Sequence, residues 1–243
     1  MDKERIAKVI AHAGVCSRRD AEKLILEGLV SLNGKIVATP ATLVSAQDQI
    51  QVRGKSLPQP ESVRVWRYYK PVGLVVSHKD EKGRQTIFDA LPSDLPRVIS
   101  VGRLDLNSEG LILLTTSGAL SRILELPATG WRRRYRVRVH GTPDPEQLLS
   151  LKNGITIEGI RYGAIEAQLD RQQGRNAWLT ITLTEGKNRE IRKVMEHFGW
   201  SVNRLIRLSY GPFQLGKMTP GEVQEVPTKN LKELLGKIYE EIQ

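Results

Sequence analysis

Apolar positions along this chain change their spacing several times, and each change marks an element. Ile6, Val9, Ile10 and Ala13 recur at helical spacing, with Gly14 placed to end that helix. Ser17 followed by Asp20 makes a capping-box pattern ahead of a second helix, whose apolar side is Ala21, Leu24 and Ile25 and whose close is Gly28. The spacing then drops to two. Val30 and Leu32 lead into the hairpin-turn signal Asn33-Gly34, Ile36 and Val37 return, and Ile50 to Val52 adds a further strand. Leu57-Pro58-Gln59-Pro60-Glu61-Ser62 breaks both spacings with two prolines and reads as a linker. The pattern predicts a small α/β domain over 1–57, a linker over 58–62 and a larger domain over 63–243.

In the larger domain, Val63, Val65 and Trp66 begin strand-like sequence that runs into Tyr68-Tyr69-Lys70-Pro71-Val72-Gly73. His78 to Thr86 is a charged, exposed loop. The runs Val98–Val101 and Leu111–Leu114 are too short for helices and are bounded by Gly or turn residues, so both read as buried strands. Leu120, Ile123 and Leu124 predict a short helix, and Tyr135, Val137 and Val139 alternate with Arg134, Arg136, Arg138 and His140 on a strand. After a short helix over 145–151 and strand pieces at Ile155, Ile157, Ile160, Ile165 and Leu169, Leu179, Ile181 and Leu183 alternate with Trp178, Thr180 and Thr182. Ile191, Val194, Met195 and Phe198 return to helical spacing before Gly199. Val202 to Leu208 follows, and Thr228 caps a last helix with the stripe Leu231, Leu234, Leu235, Ile238 and Ile242. Strands and helices in this mixture predict an α+β fold.

Charge narrows the partner. The 37 Lys and Arg against 27 Asp and Glu leave a net charge of +10, a balance that fits a polyanion, of which nucleic acid is the commonest. An anionic membrane surface would call for a Lys/Arg-rich amphipathic helix, which the sequence lacks. No apolar run approaches the roughly 18 residues of a membrane span, and Met1-Asp2-Lys3-Glu4-Arg5 lacks the apolar segment of a secretory signal. A soluble, cytoplasmic protein without membrane contact is the expectation. Cys16 is the only cysteine, so no intrachain disulfide can form. His12, His78, His140 and His197 are scattered without ligand spacing, and Glu185-Gly186-Lys187-Asn188 is not a phosphate-binding loop.

The candidate chemistry lies in three stretches. Asp105 falls in the break between the two central apolar runs, with Arg103 two residues away. A loop held by buried strands can present a charged group in a fixed place, and Asp also commonly satisfies backbone donors in a turn; the spacing admits both roles. Arg134, Arg136 and Arg138 share a strand face suited to a phosphate backbone, while Tyr135 faces the other way, as a buried core residue does. Arg189, Arg192 and Lys193 flank the packed stripe of the helix that carries Ile191, an arrangement that an ordinary salt-paired surface helix also shows.

Gly102-Arg103-Leu104-Asp105, then Ser108-Glu109-Gly110 and an aliphatic run closing on Thr115-Thr116-Ser117-Gly118, resembles the central motif of the RsuA/RluB family of bacterial ribosomal-RNA pseudouridine synthases. Ser108 stands where that family frequently has Thr, and Thr116-Ser117 where it has Asn-Asp. The resemblance implies that Asp105 is the catalytic carboxylate. It also implies that Tyr135 stacks on the target base, with Arg133 two residues before it where Lys is common, and that Ile191 and Arg192 complete the site. In this mapping Arg192 pairs with Asp105, and Ile191 packs against Tyr135 or the base. Lys70-Pro71-Xaa-Gly resembles the family's first motif, assigned to structural support.

Residues 5 to about 55 resemble the S4 RNA-binding domain found at the N-terminus of these synthases, and Lys8, Arg18, Arg19 and Lys23 map as phosphate contacts; by charge alone they also fit a solvated helix face. Arg103, Arg134, Arg136, Arg138, Lys187 and Arg189 complete the expected RNA contacts. The family implies a catalytic domain with a mixed, largely antiparallel sheet flanked by helices. It implies isomerisation of uridine in ribosomal RNA, with 23S rRNA the expected target and no residue that assigns the position, by a monomer without cofactor or metal. The rival from composition alone is a non-catalytic RNA chaperone or ribosome-assembly factor. An acid-dependent RNA hydrolase fits less well, because no second carboxylate or His accompanies Asp105 in its motif.

Overall fold

The computed structural model describes residues 3–59 and 62–241. Pro60 and Glu61 of the expected linker, and Ile242 of the expected C-terminal stripe, lie outside the described residues. The chain forms two compact units, residues 1–63 with 116–118, and residues 64–115 with 119–243.

In the first unit, β1 (Glu4–Arg5) leads into α1 (Ile6–His12) and α2 (Arg18–Leu26), followed by β2 (Val30–Leu32), β3 (Lys35–Ile36), β4 (Leu43–Val44), β5 (Ile50–Val52) and β6 (Lys55–Ser56). The Ser17 hydroxyl accepts the Asp20 backbone N–H at 3.1 Å and starts α2 as the capping pattern predicts. Asn33 and Gly34 both take positive φ, 51° and 81°, the geometry that lets a two-residue turn follow the strand twist. The strands run in the order β3-β2-β5-β6, with β1 and β4 as a separate pair. Ile6, Ile10, Ala21, Ile25, Val30, Val44 and Val52 form the core. β1, β4 and β6 escape sequence reading because two residues are too few to show a period.

The second unit contains β7 (Val65–Lys70), β8 (Ile99–Val101), β9 (Glu109–Thr115), α3 (Gly118–Glu125, all but its first residue), β10 (Arg133–His140), α4 (Pro145–Ser150), β11 (Ile155–Ile157) and β12 (Ile160–Tyr162). It continues through β13 (Ile165–Gln173), β14 (Asn176–Leu183), α5 (Glu190–His197), β15 (Ser201–Tyr210), β16 (Phe213–Gln214), β17 (Val223–Glu225), α6 (Thr228–Leu235) and α7 (Lys237–Glu241). Its sheet runs β13-β14-β10-β15-β9-β7-β17, with β16 beside β15 and β8 beside β9. β15 and β9 pair in parallel and the other pairs are antiparallel.

All seven residues of β9 are buried, which is why this strand reads as a continuous apolar run rather than an alternation. β10 alternates strictly from buried Arg133 to exposed His140. One face of the sheet carries a core that includes Trp66, Ile112, Leu114, Tyr135, Val137, Leu179, Ile181, Val194 and Leu205. The C-terminal segment departs from expectation: Pro227, not Thr228, is the N-cap, and Gly236 at φ 51° divides the single expected helix into α6 and α7.

Candidate active site

The β8–β9 loop, residues 102–108, is the centre of the site. The Asp105 carbonyl accepts the Ser108 N–H at 3.0 Å and the Leu106 carbonyl accepts the Gly73 N–H at 2.9 Å, so the main chain closes this turn. The Asp105 carboxylate takes no part in that closure. Among the described residues its ion-pair neighbour is Arg189, at 4.0 Å, and it is half-buried. A turn carboxylate would cap backbone N–H groups; this one is left facing charge.

Lys70, at the end of β7, lies beneath the loop with no exposed surface. Its ammonium donates to the carbonyls of Pro71 at 2.9 Å, Ser108 at 2.8 Å and Leu106 at 3.4 Å. Burial pushes its pKa down to about 8, against the attraction of Asp105 and Glu109. The structural role expected for Lys70-Pro71 is therefore a three-carbonyl clamp.

Glu109 is buried at the start of β9, accepting the Tyr69 hydroxyl at 2.9 Å and Arg204 Nε at 2.6 Å. The Arg204 guanidinium, ahead of the Tyr69 hydroxyl, holds its carboxyl below the usual range. Gly110 follows with φ 103°, and a Cβ there would lie 2.4 Å from the Arg207 carbonyl oxygen. The parallel contact of β9 with β15 thus requires glycine at this position.

Arg192 comes from α5, whose N-cap Arg189 takes a left-handed φ of 52°. The expected direct pairing of Arg192 with Asp105 is corrected by the structure. Arg192 Nη2 donates to the Asn107 carbonyl at 2.7 Å and Nη1 to the Val202 carbonyl at 3.0 Å. Arg189 is the guanidinium nearest the Asp105 carboxylate. The Val202 carbonyl is partly buried at the α5–β15 junction, where leaving it unpaired would be costly, while the bond to Asn107 lies at the exposed rim of the loop. Burial pushes its pKa down, Arg189 adds to this, and Asp105 and Glu196 oppose it.

Tyr135 is 8% exposed and stands opposite Ile181 of β14 and Arg207 of β15. It shares one apolar cluster with Leu104, the residue before Asp105, and with Ile191. Arg133 lies on the same buried side of β10, donating to the Thr184 carbonyl at 2.6 Å and the Tyr210 hydroxyl at 3.0 Å. The structure thus brings Asp105, Arg189 and Arg192 together beside the cluster that holds Tyr135 and Ile191.

The remaining expected contacts divide into groups. Arg103 and Lys187 are exposed, with Lys187 paired to Glu185. Arg134, Arg136 and Arg138 occupy the sheet face opposite Tyr135. In the first unit Lys8, Arg18, Arg19 and Lys23 are all exposed, and Lys8 pairs with Glu4. Sequence reading gave no role to Glu109, Tyr69 or Arg204, which lie far apart in the chain and offer no spacing signal. It also passed over Glu190, buried at the start of α5, which accepts the Lys187 N–H at 2.9 Å. Burial, with Glu185 beside it, pushes the Glu190 carboxyl up to about 8. Among the described residues no cluster of three or more His, Cys, Asp or Glu could hold a metal ion, and no helix is long and apolar enough to cross a membrane.

Residues 64–197 match the family model described as RNA pseudouridylate synthase, and residues 4–50 match that of the S4 domain. An uncharacterized RNA pseudouridine synthase of Rickettsia bellii is 52% identical over 94% of this chain and 99% of its own. The ribosomal large subunit pseudouridine synthase B of Haemophilus influenzae is 40% identical over 96% of this chain and 68% of its own. A crystal structure of a pseudouridylate synthase shares the fold at TM-score 0.68 and 24% identity, over 95% of this chain and 99% of that one.

Proposed function

The chain belongs to the RNA pseudouridylate synthase family, with an S4 domain ahead of the synthase domain, and from this premise we propose that it isomerises a uridine of large-subunit ribosomal RNA with Asp105 as the catalytic carboxylate. The observation that carries the assignment is the contrast within one loop. Lys70 holds the carbonyls of Leu106 and Ser108 and Arg192 holds that of Asn107, while the carboxylate of Asp105 accepts from no backbone N–H of the turn and faces Arg189. The choice of ribosomal RNA is supported by the Haemophilus relative, named for the large ribosomal subunit.

The reaction breaks the N1–C1′ bond of uridine, turns the freed uracil, and joins C5 to C1′. The C5 hydrogen leaves to solvent and N1 takes up a proton, so the isomer has the same composition and the step needs no oxidant or reductant. Asp105 acts at the breaking bond. To reach it the nucleotide must leave its stack, at a cost of a few kcal/mol. Tyr135 offers an aromatic face, and base–aromatic stacking of about 1–3 kcal/mol offsets much of that cost. Ile191 and Leu104 provide an apolar wall that limits water around the detached uracil. Arg192 and Lys70 position the loop through its main chain, and Lys8, Arg18, Arg19 and Lys23 place phosphate without reading sequence.

Tritium release from RNA carrying 5-labelled uridine tests this. Release from a large-subunit ribosomal transcript is expected with the intact protein. Absence of release from every ribosomal transcript would overturn the ribosomal assignment.

A further inference from the structure

Strand β10 has two faces with different chemistry, and the catalytic reading uses one of them. Tyr135, Val137 and Val139 point into the core, while Arg134, Arg136, Arg138 and His140 are exposed on the other side. Alternate residues of a strand advance about 6.8 Å, similar to the step between phosphates of a nucleic-acid strand. Side by side in register lie Thr182 with Arg134, Thr180 with Arg136, and Trp178 with Arg138. The Arg136 guanidinium is held 4.6 Å from the Trp178 ring centre, which orients it while leaving its charge uncompensated.

No carboxylate among the described residues forms an ion pair within 4.0 Å with any of these three guanidiniums. Glu166 pairs with Arg132, Asp170 accepts the Thr180 hydroxyl at 2.8 Å, and Glu109 holds Arg204. Arg138 stands opposite Arg204 in register, whose charge Glu109 already matches, so the unmatched row is Arg134, Arg136 and Arg138 themselves. Like charges placed together on a sheet cost stability, so a partner that neutralises them relieves a standing penalty.

We propose that this ladder is a second phosphate-binding surface, on the sheet face turned away from Tyr135, that holds backbone of the same RNA at a distance from the modified nucleotide. The inference rests on the catalytic reading only for which face counts as the far one. Because Tyr135 and the arginines share one strand but not one side, a single RNA engages both by passing around a sheet edge, and β13 is the terminal strand nearest the ladder. Phosphate fits better than an acidic protein: the row is linear, evenly stepped and flanked by hydroxyl and indole groups that accept a backbone of any sequence.

The test is the salt dependence of binding between the full chain and an in vitro ribosomal RNA transcript, followed by filter binding across a potassium chloride series. Arg134→Gln, Arg136→Gln and Arg138→Gln combined should lower the slope of log affinity against log salt by about 2 to 3, at about 0.7–0.9 for each phosphate no longer neutralised. The matching triple lysine variant keeps the wild-type slope. A folded glutamine variant, checked by its urea midpoint, that retains the wild-type slope overturns the proposal. So does a lysine variant that loses the slope, because charge is then not what binds. Tritium release by the wild-type protein from the same transcript separates the two readings. Release with an unchanged slope in the glutamine variant sinks the surface alone; a lowered slope with no release sinks the catalytic reading alone.

Discussion

Arg192 donates to the carbonyl of Asn107, at 2.7 Å, and forms no ion pair with the carboxylate of Asp105, two residues before Asn107. A guanidinium spent on main chain fixes where a loop lies, and its charge still attracts the nearby acid. Geometry and charge therefore make separable contributions at this position.

Arg192→Lys keeps the charge and loses the fork that spans the Asn107 and Val202 carbonyls. Single-turnover tritium release should fall about 100-fold, as a misplacement of about 1 Å can cost, and Arg192→Gln should fall at least as far. A lysine variant near wild-type activity would mean that charge alone matters here.

Asp105→Asn removes the carboxylate with little change of shape. Tritium release should disappear, while affinity for a ribosomal transcript at fixed salt stays within about twofold, since binding is dominated by the basic surfaces. An asparagine variant that still turns over would transfer the chemistry to another group.

Lys70 makes stability and activity depend on pH in opposite senses. Its folded pKa of about 8 lies below the ordinary 10.5, so between these values the unfolded chain binds the extra proton. The Lys70 contribution to stability therefore grows as pH rises from about 8 to 10.5 and is at its least favourable below 8. Activity should fall over the alkaline limb with a midpoint near 8, because a neutral amine holds the carbonyls of Pro71, Leu106 and Ser108 less well. Urea midpoints and single-turnover rates of wild type and Lys70→Met across this range check both signs; the methionine variant should lose the stability trend and be poorly active throughout.

Gly110→Ala puts a methyl group 2.4 Å from the Arg207 carbonyl oxygen at a φ of 103°. Strain at such a position costs about 1–3 kcal/mol before any clash is counted, and the parallel β9–β15 contact must open to relieve it. A urea midpoint shift of at least that size is expected, with activity lost because Glu109 and the Asp105 loop move with β9. Wild-type stability in this variant would show that the two strands separate at little cost.

Local pattern by itself determined the α+β class, the helices α1, α2 and α5, the Asn33-Gly34 turn and the division of β10 into an apolar and a basic side, because each of these is a period or a backbone preference expressed within a few residues. The position of Asp105 between two apolar runs was legible for the same reason. Tertiary structure alone decided that β9 meets β15 in parallel, that Tyr69, Glu109 and Arg204 form one network, and that Arg192 grips carbonyls while Arg189 lies nearest the carboxylate. Those contacts join residues tens of positions apart: buried Glu109 takes Tyr69 and Arg204 because an unpaired buried charge is costly, the exposed Arg189–Asp105 pair follows from where α5 packs, and no local spacing records either.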